Sequence, residues 1–86
     1  MGKVMVIFKV FANPENMDKV CEQLKAITAG AFRDLKREPI GFGIEIIRVG
    51  YVIPDKTDGA MGALEEAVNK VEGANNVEVE MATLIS

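Results

Sequence analysis

The chain reads as an α+β domain of the ferredoxin-like kind: a βαββαβ sandwich with a four-stranded antiparallel sheet and two helices on one face. Three observations predict it. Apolar residues alternate between the period of two that suits strands and the period of about 3.6 that suits helices, in the order strand, helix, strand, strand, helix, strand. Turn and cap residues fall where the period changes. The 86 residues, with no visible linker or low-complexity stretch, suit one domain, residues 1–86, around one core.

Residues 3–11 are dense in Val, Ile and Phe, without Gly or Pro. Val4, Val6, Phe8 and Val10 share one face, and Met5, Ile7, Lys9 and Phe11 the other; the first set is the cleaner core face. Asn13-Pro14 then signals a helix start, with Asn as N-cap and Pro at the first helical position. Glu15 and Asp18 suit the positive end of its dipole. Met17, Val20, Cys21, Leu24 and Ile27 form one apolar stripe. Gly30 supplies a stop, so the predicted helix covers about 14–29.

Residues 31–38 set Phe32 and Leu35 among Arg33, Asp34, Lys36 and Arg37. A short charged edge strand fits, because charge discourages unwanted edge pairing; a loop is the alternative. Residues 44–53 form a second strand, with Ile47, Val49, Tyr51 and Ile53 alternating with Ile46, Arg48, Gly50 and Val52. The run Pro54-Asp55-Lys56-Thr57-Asp58-Gly59 closes it with turn chemistry. Leu64, Ala67, Val68 and Val71 make the second helical stripe, extended back to Ala60 or Met61 and ending before Gly73. Val77, Val79, Met81 and Thr83 alternate with Glu78, Glu80, Ala82 and Leu84 in a last strand. Two right-handed βαβ-like crossings then put both helices on one side of the sheet. The two halves form a weak pseudo-repeat that the fold itself explains.

Composition narrows the chemistry. With 49% hydrophobic and 27% charged residues, the chain belongs with soluble globular proteins rather than disordered ones. The net charge of −3 argues against direct nucleic-acid binding, which relies on clustered Lys and Arg. The RNA-recognition motif shares this topology, and Phe8, Phe11, Phe42 and Tyr51 supply aromatics, but its basic-aromatic run is missing. RNA binding stays the minor option. Cys21 is the single cysteine and histidine is absent. An internal disulfide is therefore impossible, a zinc site would be poorly supplied, and no metal or cofactor is expected. The start of the chain lacks signal-peptide and myristoylation patterns, and no apolar run approaches the roughly 20 residues of a membrane span. A cytoplasmic protein that does not engage membranes is expected.

Catalytic groups are scarce. Ser86 is the single serine, with no histidine to activate it. Cys21, on an apolar stripe, reads as a small buried hydrophobe. Glu65-Glu66 and the pair Glu78 and Glu80 read as solvated charge rather than a cation site. Gly41-Phe42-Gly43 lacks the lysine and following helix of a phosphate loop. What remains is an aromatic bracketed by glycines ahead of a central strand. The residues alone favour a bend whose Phe caps the sheet edge, since exposed Phe is rarer than buried Phe. The competing reading is a ring presented to a partner.

Pro39-Ile40-Gly41-Phe42-Gly43-Ile44 resembles the signature of the elongation factor 1-beta exchange domain. The opening Met1-Gly2-Lys3-Val4-Met5-Val6-Ile7-Phe8-Lys9-Val10 is similar to the start of the short archaeal forms. So is Leu64-Glu65-Glu66-Ala67-Val68 leading to Val71-Glu72-Gly73 and Val77-Glu78-Val79. The likeness runs from Gly2 to about Glu80. It implies a nucleotide-exchange factor, without covalent chemistry, for the GTPase elongation factor 1-alpha, which delivers aminoacyl-tRNA to the ribosome. It also implies that Phe42 belongs to the partner-contacting surface, with Pro39, Ile40, Gly41 and Gly43 shaping its loop.

The resemblance further implies a basic residue near the C-terminus that disturbs the partner's magnesium site. Here no Lys or Arg follows Lys70, so no displacing cation is carried over, and Thr83, Leu84 and Ile85 are expected to press the partner sterically. The Gly-Thr-Asp segment that usually precedes Leu-Glu-Glu is also altered, reading Ala60-Met61-Gly62-Ala63. Both departures bear on exchange efficiency rather than on fold. Exchange needs no second copy, so a monomer is expected. The alternative from another class is a non-catalytic interaction or ligand-sensing domain that dimerises through Met5, Ile7, Ile44 and Ile46 on the open sheet face.

Overall fold

The computed structural model describes residues 2–42, 44–54 and 59–85. In chain order the elements are β1 (Lys3–Ala12), a 3-10 turn (Pro14–Asn16), α1 (Met17–Lys25), β2 (Ala31–Gly41), β3 (Ile44–Pro54), α2 (Ala60–Asn69) and β4 (Ala74–Leu84). The sheet order is β2-β3-β1-β4, and every neighbouring pair is antiparallel. This is the expected βαββαβ arrangement, with β1 and β3 central and β2 and β4 at the edges.

The predicted core faces are the ones buried. Val6, Phe8 and Val10 of β1 are inaccessible to solvent, as are Ile47, Val49 and Tyr51 of β3, while Ile53 is nearly so. They meet Met17, Val20, Cys21 and Leu24 from α1 and Leu64 and Val68 from α2. Each such side chain contributes about 1.5–3 kcal/mol relative to exposure, so this single layer between sheet and helices carries most of the favourable free energy.

Helix α1 departs from expectation at both ends. Asn13 and Pro14 open a 3-10 turn, and the Asn13 side chain makes no cap; its Oδ1 accepts a hydrogen bond from Asn75 Nδ2 at 3.0 Å. The helix then stops at Lys25 rather than near residue 29. Tyr51 caps the early end: its hydroxyl donates to the Leu24 carbonyl at 2.6 Å, satisfying an acceptor that the helix end leaves without its usual partner. Ile27 and Thr28, β-branched and poor at continuing a helix, follow directly. Gly30 is no helix stop. It is a point of close approach, where an added Cβ would sit 3.1–3.3 Å from Ile53, Leu64 and Tyr51.

The edges are longer than predicted. β2 runs to Gly41 instead of residue 38, and β4 begins at Ala74 rather than near 77. The charged-edge reading of β2 holds, with most of its residues exposed. Its ladder slips between Phe32 and Asp34 and again between Pro39 and Gly41, leaving Arg33 and Ile40 as bulge positions. The predicted turn at residues 55–58 lies outside the described residues. No helix among the described residues is long and apolar enough to cross a membrane.

Tyr51 joins these layers. Its ring packs edge-on against Phe8, with centroids 6.1 Å apart, and against Phe32 at 6.2 Å. Tyr51→Phe keeps the rings but leaves the Leu24 carbonyl with only the longer 3.4 Å bond from the Ile27 amide, so it should destabilise the fold by about 1 kcal/mol in urea unfolding. Burial also raises the Tyr51 phenol pKa above its ordinary value. Because the folded-state pKa is the higher one, this stability is present in full below the unfolded value of about 10 and is lost as pH climbs beyond it. Wild-type unfolding midpoints should therefore drop above about pH 10, and Tyr51→Phe should flatten that drop.

Candidate partner-binding surface

The glycine-flanked aromatic lies at the apex of the β2–β3 hairpin. Pro39 pairs with Glu45 and Gly41 with Ile44, so Phe42 stands just past the last ladder pair. Gly43 itself lies outside the described residues. Pro39 suits an edge strand, where a missing ladder donor is tolerated. Gly41 has φ +107° with nothing within 4 Å of where a Cβ would stand; its backbone angle, not crowding, calls for glycine.

Phe42 has φ +56°, a left-handed conformation that costs a side chain such as this about 1–2 kcal/mol. Its ring is fully exposed at 103%, and Ile40 beside it is 52% exposed. The reading in which this Phe caps the sheet edge is overturned. Phe42 follows the last ladder pair, Gly41 with Ile44, so its ring stands beyond the sheet with no core to reach.

Two arginines missed by the sequence reading brace the base of this hairpin. On the helix side, Arg37 meets Glu45 at 3.1 Å and Asp18 of α1 at 3.2 Å. On the open side, Arg48 of β3 reaches Glu38 of β2 at 3.0 Å and Glu80 of β4 at 3.2 Å. Its Nε is buried without a hydrogen-bond partner among the described residues. Each pair is partly exposed and worth at most about 1 kcal/mol alone. Together they fix Glu38 and Glu45, the residues that flank the apex. Only the strand register, including the Ile40 bulge, brings these charges together, and the bulge has no clear sequence signature.

Thr83, Leu84 and Ile85 are elsewhere. Thr83 pairs with Met5 and Leu84 with Val4, and the Ile85 amide donates to the Lys3 carbonyl at 2.9 Å. Leu84 and Ile85 are 60% and 46% exposed. At the hairpin end of the sheet, β1 instead offers Ala12, opposite Glu45. From Val4 to Ala12 the strand climbs about 27 Å at about 3.4 Å per residue. The eight residues expected at the partner surface thus form two groups at diagonally opposite corners of the sheet.

The open face is not the bare apolar patch of the alternative reading. Ile46 is 3% exposed, Met5 and Ile7 are half-buried, and Arg48 with Glu38 and Glu80 spans the surface beside them; the Ile44 side chain lies outside the described residues. Glu80, one of the carboxylates read as solvated charge, is engaged by Arg48. Among the described residues no three His, Cys, Asp or Glu side chains gather as a metal site would need. Cys21 is buried, and burial pushes its thiol pKa up against the opposing pull of Arg37 and Lys25. An unreactive core thiol results.

Comparison with known proteins finds relatives over the whole chain. Residues 4–85 match the family model of the EF-1 guanine nucleotide exchange domain. Elongation factor 1-beta of Methanoculleus marisnigri is 37% identical over 87 residues, covering 99% of this chain and 100% of the relative. That of Methanosphaerula palustris is 39% identical, covering 98% and 99%. The Desulfurococcus amylolyticus protein of the same name is 34% identical over 92 residues, covering both chains fully. The crystal structure of PH0061 superposes with a TM-score of 0.56 at 22% identity, over 96% of this chain. This chain spans 52% of that protein, and the likeness speaks for the fold. With a family model matched from Val4 to Ile85 and archaeal relatives matched end to end, the chain belongs to the EF-1 guanine nucleotide exchange domain family.

Proposed function

We propose that this domain promotes exchange of GDP for GTP on the GTPase elongation factor 1-alpha by protein contact alone, with Phe42 as its anchor. One observation carries the anchor assignment: a large aromatic held in a left-handed turn, fully exposed at the apex of a braced hairpin. Folding gains nothing from such a ring, whereas an interface gains most from buried aromatics. Pro39, Ile40, Gly41 and Gly43 shape and flank it. Thr83, Leu84 and Ile85 supply a second contact at the far corner.

An exchange factor binds the nucleotide-free GTPase more tightly than the GDP-bound form, and linkage then obliges it to weaken GDP binding by the same factor. A thousandfold faster release requires the barrier to fall by about 4 kcal/mol. One buried aromatic anchor supplies about 2 kcal/mol or more, and a contact that deforms the partner's phosphate or magnesium loops supplies the remainder. The C-terminal group, Thr83, Leu84 and Ile85, carries no charge and acts there by shape. No cofactor, metal, nucleic acid or membrane takes part, and the protein works in the cytoplasm, one copy per GTPase.

Release of fluorescent GDP from the purified GTPase tests this. Phe42→Ala should leave the unfolding midpoint within about 0.5 kcal/mol of wild type, as exposed positions do. It should slow stimulated release by about 30-fold, the equivalent of about 2 kcal/mol. Wild-type stimulation by this variant would sink the anchor assignment. Replacing Thr83, Leu84 and Ile85 together by alanine should lower stimulation by about tenfold through the rate of release at saturation, a loss of about 1.4 kcal/mol.

A further inference from the structure

β4 is guarded like β2 over its first part, by Glu78, Glu80 and two ladder irregularities, but not at its end. β2 carries Arg33, Asp34, Lys36, Arg37, Glu38 and Pro39 along with two bulges, the usual defences against strand pairing. The end of β4 carries none of these. Met81-Ala82-Thr83-Leu84-Ile85 has no charge and no proline, and Met81, Leu84 and Ile85 are 51%, 60% and 46% exposed.

The backbone of this stretch presents a defined pattern. Ile85 N–H bonds to Lys3 C=O, and in an antiparallel ladder such inward-facing residues alternate with outward-facing ones. Ile85, Thr83 and Met81 therefore turn their backbone groups to β1. Ala82 and Leu84 turn theirs to the open edge. A second copy related by a twofold axis at Thr83 sets Ala82 against Leu84 of that copy, and Leu84 against its Ala82. All four outward backbone donors and acceptors on each side are thereby matched.

The side chains agree with that register. Ala82 and Leu84 share the helix side of the sheet with Val6 and Val4, their partners on β1, so Leu84 would pack across the junction beside Ala82 of the copy. Thr83 faces Thr83, a favourable cross-strand pair, and Met81 faces Ile85. The Glu80 residues of the two copies stand six positions apart along the ladder, about 20 Å, some two screening lengths in physiological salt. A register centred on Ala82 instead sets Leu84 against Glu80. One centred near Val79 crowds Glu78 and Glu80 against their copies.

We propose that a second copy of this chain adds to the β4 edge through residues 81–85, joining two sheets into one of eight strands. This departs from the monomer expected from the sequence and does not depend on the exchange reading. Because Thr83, Leu84 and Ile85 also form the C-terminal part of the proposed GTPase contact, the two uses of the edge exclude one another.

Sedimentation equilibrium on the whole chain decides it. From about 10 μM to about 1 mM, a range that brackets weak protein pairs, the average mass should rise from 9.3 kDa towards twice that value. Ala82→Pro removes an outward N–H that makes no bond within the chain, so it should keep the native circular dichroism and hold the mass at 9.3 kDa throughout. Leu84→Lys places a charge at the junction and should do the same, and it serves should the proline variant misfold. A wild-type mass that stays at that of one chain across the series overturns the proposal, as does a dimer that survives Leu84→Lys.

Discussion

The hydrogen bond from Tyr51 to the Leu24 carbonyl ties the end of the first helix to the central strand β3, and the layers of the domain meet at that tie. A helix continued to residue 29 would carry the chain about a turn further along its own axis. Stopped at Lys25, the chain instead passes Gly30, where an added Cβ would press on Ile53, Leu64 and Tyr51, and begins β2 at the outer edge of the sheet. The same phenol is an element of the core, wedged between Phe8 and Phe32. One side chain thus couples the helix layer, the central strands and the edge strand that bears the hairpin.

Inside and outside obey different rules in this domain. The interior is aliphatic and aromatic; beyond the fit of volumes, its one buried side-chain hydrogen bond found among the described residues is that of the Tyr51 hydroxyl. The surface features hold geometry instead. Arg37 and Arg48 fasten opposite faces of one hairpin with little net stability, because exposed ion pairs offset entropy and desolvation only narrowly. They govern where the apex points. Phe42 extends this logic to its limit, since its conformation costs free energy and its ring returns none to the fold.

The fold was almost wholly legible from periodicity. β1 and β3 show it best: their alternation named Val4, Val6, Phe8, Val10, Ile47, Val49, Tyr51 and Ile53, all buried except the partly buried Val4, while Ile46, assigned to the other face, is buried too. The misreadings share a cause. Gly30 looked like a helix stop and Asn13 like a cap because both residues favour those roles locally. In the structure, long-range partners claim them: Ile53, Leu64 and Tyr51 crowd Gly30, and Asn75 takes the Asn13 side chain. The candidate surface was legible only in part. Its residue types were visible in Pro39, Gly41 and Phe42, but exposure of the ring, the Ile40 bulge and the bracing arginines depend on register. Nor does the sequence show that Phe42 and Leu84 occupy opposite corners, since their separation comes from the strand order β2-β3-β1-β4.

That diagonal has a mechanical consequence. The molecule measures 43 × 20 × 16 Å, and its length is set by continuous strands, which scarcely stretch. In the proposed complex a stiff body gripping its partner at two distant corners behaves as a gauge. A conformer of the GTPase whose two docking places match the gauge accommodates both grips, and any other conformer loses one. Discrimination between nucleotide-free and nucleotide-bound partners then arises from spacing between remote points, with no need for the domain to approach the guanine base.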